Sequence, residues 1–329
     1  MRVLLIGSGS IGKRHMRNLR MLRPEVRFDV LRERSLPSHG LDFAERCTIS
    51  SSLDEALDKA PQLMIIANPS ALHLPYLTAA ITRSIPFYAE KPVVSSVEDL
   101  SSLAKCLSAV RELPANIVGC NLRFLPSLIA MKDMVDTGVL GNICYASFEA
   151  GQWLPDWRPG KNYRESYSAQ RNLGGGVALD LIHEVDSARW LIGDFGDVKG
   201  MFASSSSLEI DVEDTASFLM KADRGAIVSV NVNYVSRSPF RRYRVVGDEG
   251  TVEWDLPNRA LRLSTASSTG EIPLAPDAFD VDKTYVTAMS DLLRAVENGG
   301  NTSQSLAEGV AALELVFRSL TFDPIEARS

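Results

Sequence analysis

The sequence predicts an α/β protein with two domains, and three observations support this. From Met1 to about Val118, short apolar runs such as VLLIG and LMIIA alternate with helical patterns, which is typical of a doubly wound parallel sheet. From about Ala203, longer alternating runs such as AIVSVNVNYV are separated by turn signals such as GDEG, which indicates a mainly antiparallel sheet. A chain of 329 residues is long enough for two hydrophobic cores. We therefore predict a first domain at residues 1–118 and a second at residues 119–329.

The composition is that of an ordinary globular protein. Hydrophobic residues make up 45% of the chain and charged residues 23%, which excludes a disordered or fibrous protein. The net charge of -6 argues against a dedicated nucleic-acid binder. Because the opening run MRVLLIG is too short for a signal peptide or a membrane span, we expect a cytoplasmic protein without a membrane partner. The scattered cysteines show no CxxC spacing, so neither a zinc site nor a disulfide framework is expected.

A glycine-rich stretch follows the first predicted strand. The sequence GSGSIG lies directly after VLLI and before the helical pattern KRHMRNLRML, the context in which GxGxxG binds a dinucleotide. There the glycines permit a tight turn and let a pyrophosphate approach backbone N–H groups at the positive end of the helix. The alternative is a plain glycine turn between strand and helix. The residues predicted to bind the cofactor here are Gly7, Gly9, Ser10, Ile11 and Gly12.

The end of the second predicted strand bears on the choice between NAD and NADP. NAD-binding proteins usually place an acid about 20 residues beyond the glycines, and Arg32 occupies that position here. The guanidinium groups of Arg32 and Arg34 suit the 2′-phosphate of NADP. Glu33 would serve NAD if the register shifts by one residue, and a solvated charge run would leave the choice open. The sequence favours NADP, with NAD as the alternative.

The next two predicted strands end in polar residues, within ANPSALH and YAEKP. In a doubly wound sheet, ligands bind outside the carboxyl ends of the strands. The residues expected to face the nicotinamide are therefore Asn68, Pro69, His73, Glu90 and Lys91. The proline after Lys91 restricts its backbone to an extended geometry that could aim it inward, whereas a solvated surface lysine is the plain alternative.

Three consecutive glycines, Gly174–Gly176, precede a segment with helical periodicity. Asp180, His183 and Glu184 are spaced by three and four residues, which predicts one helix with these groups on a single face. The pattern fits acid/base catalysis, metal ligation or a structural histidine satisfied by a carboxylate. Metal ligation is disfavoured because a second histidine at helical spacing is lacking. The glycines would let the backbone lie close to substrate or cofactor.

An aromatic, arginine-rich stretch, QWLPDWRPGKNYRESYSAQRN, lies between the two regular halves of the chain. Long irregular segments in compact domains are often binding loops. Flat rings combined with hydrogen-bond donors suit a polyhydroxylated ring. With two residues from the preceding CNLRFLP, the predicted substrate-binding residues are Asn121, Arg123, Trp153, Trp157, Tyr163 and Arg164.

These motifs resemble those of the Gfo/Idh/MocA family of NAD(P)-dependent sugar and cyclitol oxidoreductases. The resemblance rests on GSGSIG with His15 nearby, ANP with His73, EKP at Glu90–Pro92, and GGGVALDLIHEVD, and it covers essentially the whole chain. It implies a Rossmann domain followed by an α/β domain with an open, mostly antiparallel sheet. Because the face of that sheet often makes dimer or tetramer contacts, a homodimer or homotetramer is expected.

The resemblance also implies the catalytic residues. It assigns the catalytic lysine to Lys91, the catalytic histidine to His183, and an aspartate of the same helix to Asp180. Here the acid lies three residues before the histidine, whereas many members have a spacing of four. The shorter spacing is similar to that of branches that look related to sugar nucleotides.

Residues and resemblance together predict hydride transfer between nicotinamide and a secondary alcohol or ketone of a sugar, cyclitol or sugar nucleotide. His183 would act as acid and base, Asp180 would orient or tune it, and Lys91 would polarise the oxygen. No metal is expected. One alternative is an NAD(P)-binding regulatory protein without turnover, which would need neither the lysine nor the histidine. Another is a metal-dependent sugar isomerase or hydrolase, which would require a bound metal.

Overall fold

A computed structural model of the protein describes residues 1–32 and 47–320. The described residues divide into two compact units. Unit 1 contains those within Met1–Asn121 and Asp282–Gly309, and unit 2 contains those within Leu122–Val281 and from Val310 onward. Residues 282–309 thus return to unit 1. The predicted division into residues 1–118 and 119–329 does not include this return.

Unit 1 is built on a six-stranded parallel sheet. Its strands are β1 (Arg2–Ile6), β2 (Arg27–Leu31), β3 (Cys47–Ser50), β4 (Leu63–Ile66), β5 (Phe87–Ala89) and β6 (Asn116–Val118). Their spatial order is β3-β2-β1-β4-β5-β6, the doubly wound order of a Rossmann fold. The predicted fold class of this half is confirmed. The apolar runs are explained by burial on both faces, since every residue of β4 and β5 is buried.

Helices connect these strands, and two more follow near the C-terminal end. The connecting helices are α1 (Ser10–Leu22), α2 (Leu53–Asp58), α3 (Leu74–Thr82) and α4 (Val97–Ser108). After unit 2, α8 (Val281–Asn298) and the start of α9 (Leu306–Leu320) return to unit 1. The return is held by hydrogen bonds to β6, where the Leu306 N–H donates to Asn116 Oδ1 at 2.6 Å. Among the described residues, no helix has the length and apolar character needed to cross a membrane.

Unit 2 contains an eight-stranded sheet in the order β14-β13-β12-β11-β7-β10-β9-β8. The strands are β7 (Ile143–Gly151), β8 (Phe195–Ala203), β9 (Thr215–Ala222), β10 (Ile227–Asn233), β11 (Phe240–Gly247), β12 (Gly250–Asp255), β13 (Ala260–Thr265) and β14 (Thr269–Glu271). Only the pair of β7 and β10 is parallel within this described sheet, so the predicted, mostly antiparallel sheet is confirmed. The helices of this unit are α5 (Pro126–Asp136), α6 (Val177–Asp180) and α7 (His183–Ile192).

Side chains alternate between the two faces of this second sheet, as the sequence pattern requires. On the inner face, Phe148, Tyr243 and Trp254 occupy paired positions of neighbouring strands and are buried. Ring centroids are 4.8 Å apart in both the Phe148–Tyr243 and the Tyr243–Trp254 pairs. On the other face, large apolar side chains such as Met201 and Leu219 are exposed. Helices α5 and α7 pack against the sheet.

The buried indole of Trp254 generates a prediction about stability. Its Nε1–H donates to Ser127 Oγ at 2.9 Å, and both residues are buried. Ser127→Ala leaves the indole N–H without this acceptor and should lower the free energy of unfolding by about 1–3 kcal/mol. Urea unfolding followed by circular dichroism measures the loss. In a Trp254→Phe background the same change should cost clearly less, and an equal cost in both backgrounds would contradict the hydrogen-bond explanation.

Candidate active site

The glycines of GSGSIG have three different surroundings. Gly7 has a φ of +93°, and a Cβ there would lie 2.5 Å from the backbone of Ala67 and Asn68 at the end of β4. A Cβ on Gly12 would lie 2.0 Å from the carbonyl oxygen of Gly7, so only glycine lets α1 pack this closely on the turn. Gly9 has open space around it, since no atom of residues 1–32 and 47–320 would lie within 4 Å of a Cβ there. The loop is therefore tight at both ends and open in the middle.

The N-terminal end of α1 adjoins this opening. Gly9 is the N-cap, and Ser10 and Ile11 are the first residues of a helix of 13 residues. Backbone N–H groups in the first turn of a helix lack intrahelical partners and attract anions. Arg32 follows the last residue of the neighbouring strand β2, and its N–H donates to Ser50 O at 2.9 Å. Arg34, the second predicted phosphate ligand, lies outside the described residues.

The turn after β4 is tied to the segment after β5 by a buried histidine. His73 Nε2 lies 3.0 Å from the carbonyl oxygen of Asn68, and Nδ1 lies 3.1 Å from that of Val93. Burial lowers the pKa of His73, and the two carbonyls and the charge of Glu90 oppose this shift. Pro69 lies within the turn, and Asn68 Oδ1 is buried without a hydrogen-bond partner among the described residues.

A second histidine contacts the same segment. His15, on α1, is buried, and its Nε2 lies 2.6 Å from Glu90 Oε1. The other carboxylate oxygen of Glu90 lies so close to Gly119 that a Cβ there would be 2.8 Å away. Lys91 follows, and its peptide bond to Pro92 is cis. Of the four residues Glu90–Val93, only Lys91 is not buried.

Two tyrosines hold the Asp180 carboxylate in unit 2. Tyr167 OH donates to Oδ1 at 2.5 Å and Tyr234 OH donates to Oδ2 at 3.1 Å. Burial raises the pKa of Tyr234, and the charge of Asp180 adds to the rise, so this phenol remains a donor. The sequence predicted neither tyrosine as a partner of Asp180, because residues 13 and 54 positions away leave no periodic signal.

The predicted single helix is wrong, because α6 ends at Asp180 and α7 begins at His183. The two acids of the expected common face therefore have separate partners. Glu184 is buried, accepts from Tyr243 OH at 3.1 Å and lies 2.6 Å from Arg241 Nε. Burial raises the pKa of Glu184, and the positive charge of Arg241 opposes this. From Asp180 to Ala188, His183 is the one residue that is not buried.

The glycines before α6 make room for the chain itself. A Cβ on Gly175 would lie 2.3 Å from the carbonyl oxygen of Tyr167. Gly176 has a φ of +115°, and a Cβ there would lie 2.4 Å from Glu213 Oε1. The same Glu213 oxygen accepts from the Ala178 N–H at 3.1 Å, at the start of α6. At these two positions protein atoms fill the space that a side chain would need, so the packing of the chain itself requires glycine. That the backbone here lies close to substrate or cofactor stays a prediction.

The aromatic stretch contains a series of short 3₁₀ turns rather than one irregular loop. The ring of Trp153 is covered by the Arg237 guanidinium, 3.7 Å from its centroid. The ring of Trp157 meets Tyr234 edge-on at 5.2 Å, and its buried Nε1–H has no hydrogen-bond partner among the described residues. The stretch thus contacts the tyrosine that holds Asp180.

Four other predicted substrate residues have protein partners. Arg164 is paired with Glu209 at 2.9 Å and lies over the ring of Tyr163, 4.7 Å from its centroid. In unit 1, Asn121 Nδ2 donates to Thr284 Oγ1 at 2.5 Å. In unit 2, the buried guanidinium of Arg123 donates to both oxygens of Asp186, at 2.7 and 2.9 Å. Their roles in substrate binding stay predictions. Within residues 1–32 and 47–320, no group of three or more histidine, cysteine and acidic side chains is placed to hold a metal ion.

Two family models match the chain. The model described as "Oxidoreductase family, NAD-binding Rossmann fold" matches residues 1–112, and the GFO/IDH/MocA C-terminal domain matches residues 128–253. The chain belongs to the Gfo/Idh/MocA family. The resemblance found in the motifs is thereby confirmed, and with it the assignment of the chain to an oxidoreductase family.

Relatives found by sequence agree with this assignment. The chain is 24% identical over 291 residues to levoglucosan dehydrogenase of Pseudarthrobacter phenanthrenivorans, covering 74% of this chain and 73% of that protein. It is 24% identical over 330 residues to inositol 2-dehydrogenase of Rhizobium meliloti, covering 94% and 93%.

Among solved structures, levoglucosan dehydrogenase in complex with NADH and levoglucosan is similar to this fold, with a TM-score of 0.82 and 21% identity over 97% of this chain and 96% of that chain. The WlbA dehydrogenase from Bordetella pertussis, in complex with NADH and UDP-GlcNAcA, has a TM-score of 0.79 and 19% identity over 97% and 95%. At these identities, the structural likeness shows the shared fold.

The different surroundings of Gly9 and Gly12 generate a prediction for this Gfo/Idh/MocA protein. Gly9→Ala places a methyl group in open space, so thermal stability should stay unchanged while the methyl weakens NADH binding by roughly tenfold or more. Gly12→Ala must displace the Gly7 carbonyl, so both stability and NADH affinity should fall. Thermal unfolding and fluorescence titration measure the two effects. Unchanged NADH affinity in Gly9→Ala would place the pyrophosphate elsewhere.

Proposed function

We propose that this chain transfers a hydride between nicotinamide and a secondary alcohol or ketone of a sugar, cyclitol or sugar nucleotide. Its membership of an NAD-binding oxidoreductase family supports the reaction class. The observation that carries the proposal is the exposure of the two predicted catalytic residues. Lys91 is the one residue of 87–94, and His183 the one residue of 180–188, that is not buried. The neighbours of each residue in the chain are buried, so in these two segments only the Lys91 and His183 side chains are accessible to solvent.

The residues of unit 1 fit a dinucleotide. The open space at Gly9 and the first-turn N–H groups of α1 suit a pyrophosphate. Asn68 Oδ1, which has no hydrogen-bond partner within residues 1–32 and 47–320, offers an acceptor on the adjacent turn. The residues proposed to hold the cofactor are Gly7, Gly9, Ser10, Ile11, Gly12, Arg32, Arg34, Asn68, Pro69, His73 and Glu90. When bound, the nicotinamide accepts or supplies the hydride.

His183 and Lys91 divide the remaining chemistry between them. In oxidation, the His183 imidazole takes the hydroxyl proton as the hydride leaves carbon, and a carbonyl group results. In reduction, the same imidazole returns the proton to the oxygen. The Lys91 ammonium stabilises the negative charge that develops on this oxygen. Asp180 accepts two phenolic hydrogen bonds, which fix its carboxylate three residues before His183, and we assign it the role of orienting or tuning the imidazole.

A carbohydrate substrate is supported by the aromatic stretch and by the relatives. Levoglucosan, inositol and UDP-GlcNAcA appear in the names of similar proteins. The rings and donors proposed to bind such a substrate belong to Trp153, Trp157, Tyr163 and Arg164, together with Asn121 and Arg123. The buried Trp157 Nε1–H supports this, since a donor with no hydrogen-bond partner in the described part of the chain suits a ligand oxygen.

We also propose a homodimer or homotetramer in the cytoplasm. The outer face of the second sheet supports an oligomer, because Met201, Leu219 and Ile227 are large apolar residues that lie exposed on three adjacent strands.

The catalytic roles are tested by Lys91→Ala and His183→Ala. Each variant should lower kcat by roughly 10²–10⁴-fold, while the Kd for the cofactor stays close to that of the wild type. Substrate is first identified by screening sugars, inositols and nucleotide sugars, and single-turnover nicotinamide absorbance then measures hydride transfer. Lys105→Ala, at an exposed position of α4, is the matched control and should have no effect. Wild-type rates in both alanine variants would exclude the proposed pair, whereas a wild-type protein that transfers no hydride with any compound of the screen would favour a non-catalytic binder.

Cofactor preference is proposed to be NADP, with NAD as the alternative that the NADH-bound neighbours exemplify. Arg32→Asp should weaken NADPH binding and reverse or narrow its advantage over NADH, because an acid repels a 2′-phosphate and accepts from a 2′-hydroxyl. Kd values for NADPH and NADH, measured side by side, report the ratio. Arg83→Asp, an equal charge change at an exposed position, should leave the ratio unchanged. A wild-type protein that prefers NADH contradicts the proposal directly.

A further inference from the structure

The segment Glu90–Val93, which carries Lys91, lies beyond the end of β5 and outside regular secondary structure. The Glu90 N–H still donates to Ile66 O at 2.9 Å, in continuation of the strand pairing. After that point the segment leaves the sheet. Its position therefore depends on side chains from other parts of unit 1.

His15 supplies the first of these contacts. Its ring is buried against Tyr88, with ring centroids 4.3 Å apart, and its Nε2 lies 2.6 Å from Glu90 Oε1. Burying a carboxylate is costly unless it is hydrogen-bonded or paired with a cation. Because the other Glu90 oxygen lies against Gly119, the carboxylate is confined on both sides. The side chain that precedes Lys91 is thus fixed to α1.

His73 supplies the second contact, on the other side of Lys91. Its two ring nitrogens lie 3.0 and 3.1 Å from the carbonyl oxygens of Asn68 and Val93. A neutral imidazole has one N–H and donates to one of these carbonyls, whereas an imidazolium donates to both. In either state, His73 joins the residue two positions after Lys91 to the turn that follows β4.

The two histidines connect Lys91 to different parts of the dinucleotide site. His15 lies on α1 one turn after Gly12, and His73 closes the turn that begins at Asn68. The glycine-rich loop and the Asn68 turn are the same two features proposed to hold the cofactor. The position of Lys91 is therefore set relative to the groups that would set the position of the nicotinamide.

We propose that His15 and His73 are positioning residues that hold the Glu90–Val93 segment from both sides and so fix Lys91 for hydride transfer. This inference rests on the proposed function, in which Lys91 polarises the substrate oxygen. Apolar side chains of similar size would fill the same volume without burying polar ring nitrogens. The histidines are therefore assigned to the geometry of the segment and not only to packing.

The test removes the nitrogens and keeps the rings. His15→Phe and His73→Phe should each slow single-turnover hydride transfer by roughly 10–100-fold, because a shift of about 1 Å in a reacting group costs this much. The cofactor Kd should change by less than about twofold in His15→Phe, because His15 is not among the residues proposed to hold the cofactor. His73 is among them, so the transfer rate of His73→Phe is compared with that of the wild type at saturating cofactor. Asn116→Ala is the control: it removes a buried hydrogen bond at the opposite end of the strands and should lower stability without slowing transfer.

Repeating the histidine variants in a Lys91→Ala background separates positioning from general damage. If the histidines act through Lys91, each phenylalanine change should alter the residual rate by less than about twofold in that background. Losses as large as those in the wild-type background would overturn the inference while leaving the catalytic role of Lys91 intact. A Lys91→Ala protein that is as fast as the wild type would overturn both this inference and the catalytic role proposed for Lys91, whereas a wild-type protein that transfers no hydride would overturn the proposed function itself.

Glutamine variants cover the case in which a phenylalanine variant does not fold. His15→Gln retains a donor for Glu90 and should recover most of the transfer rate. His73→Gln can reach one carbonyl through its amide and should give a rate between those of the wild type and the phenylalanine variant. Phenylalanine variants that fold and transfer hydride at the wild-type rate would show that the ring contacts do not position Lys91. If His73→Phe does not fold, a wild-type rate in His73→Gln contradicts the role of His73.

Discussion

The arrangement of unit 1 depends on one close contact, between Gly12 and the carbonyl oxygen of Gly7. A Cβ at residue 12 would lie 2.0 Å from that oxygen, so α1 can approach the end of β1 this closely only because residue 12 is glycine. The approach brings His15 to Glu90 at 2.6 Å. The same contact therefore sets the position of the first turn of α1, which is proposed to bind the pyrophosphate, and of His15, the buried partner of the segment that carries Lys91.

In unit 2, a short stretch of the chain is held in place by its buried carboxylates. Asp180, Glu184 and Asp186 are all buried within one short stretch, and an unpaired carboxylate in such a place would be strongly destabilising. Each has its own donors: two tyrosines for Asp180, Tyr243 and Arg241 for Glu184, and Arg123 for Asp186. These donors come from separate segments of the unit. They hold the stretch in one orientation, in which His183 retains solvent exposure.

The same physical logic thus recurs in both units. A short segment is fixed by polar contacts that are satisfied inside the protein, and one titratable side chain in it is left accessible. In unit 1 the fixing groups are His15 and His73, and the accessible group is Lys91. Satisfied buried networks restrict a segment to one geometry, which is what a reaction with strict distance requirements needs. Under the proposed function, these buried polar residues would act on the reaction through the segments that they hold in place.

The sequence by itself determined the elements whose signals are local. The parallel sheet follows from apolar runs between helical patterns, the antiparallel sheet from alternation, and the dinucleotide loop from glycines placed between strand and helix. Tertiary structure alone decided the rest, because partners such as Tyr234 for Asp180 or His73 for Val93 lie far apart in the chain and obey no period. It also divided the predicted helix at Leu181, since Asp180 and Glu184 bond to different segments that helical periodicity does not represent. The return of residues 282–309 to unit 1 has the same origin, in contacts to β6 that form only when distant parts of the chain fold together.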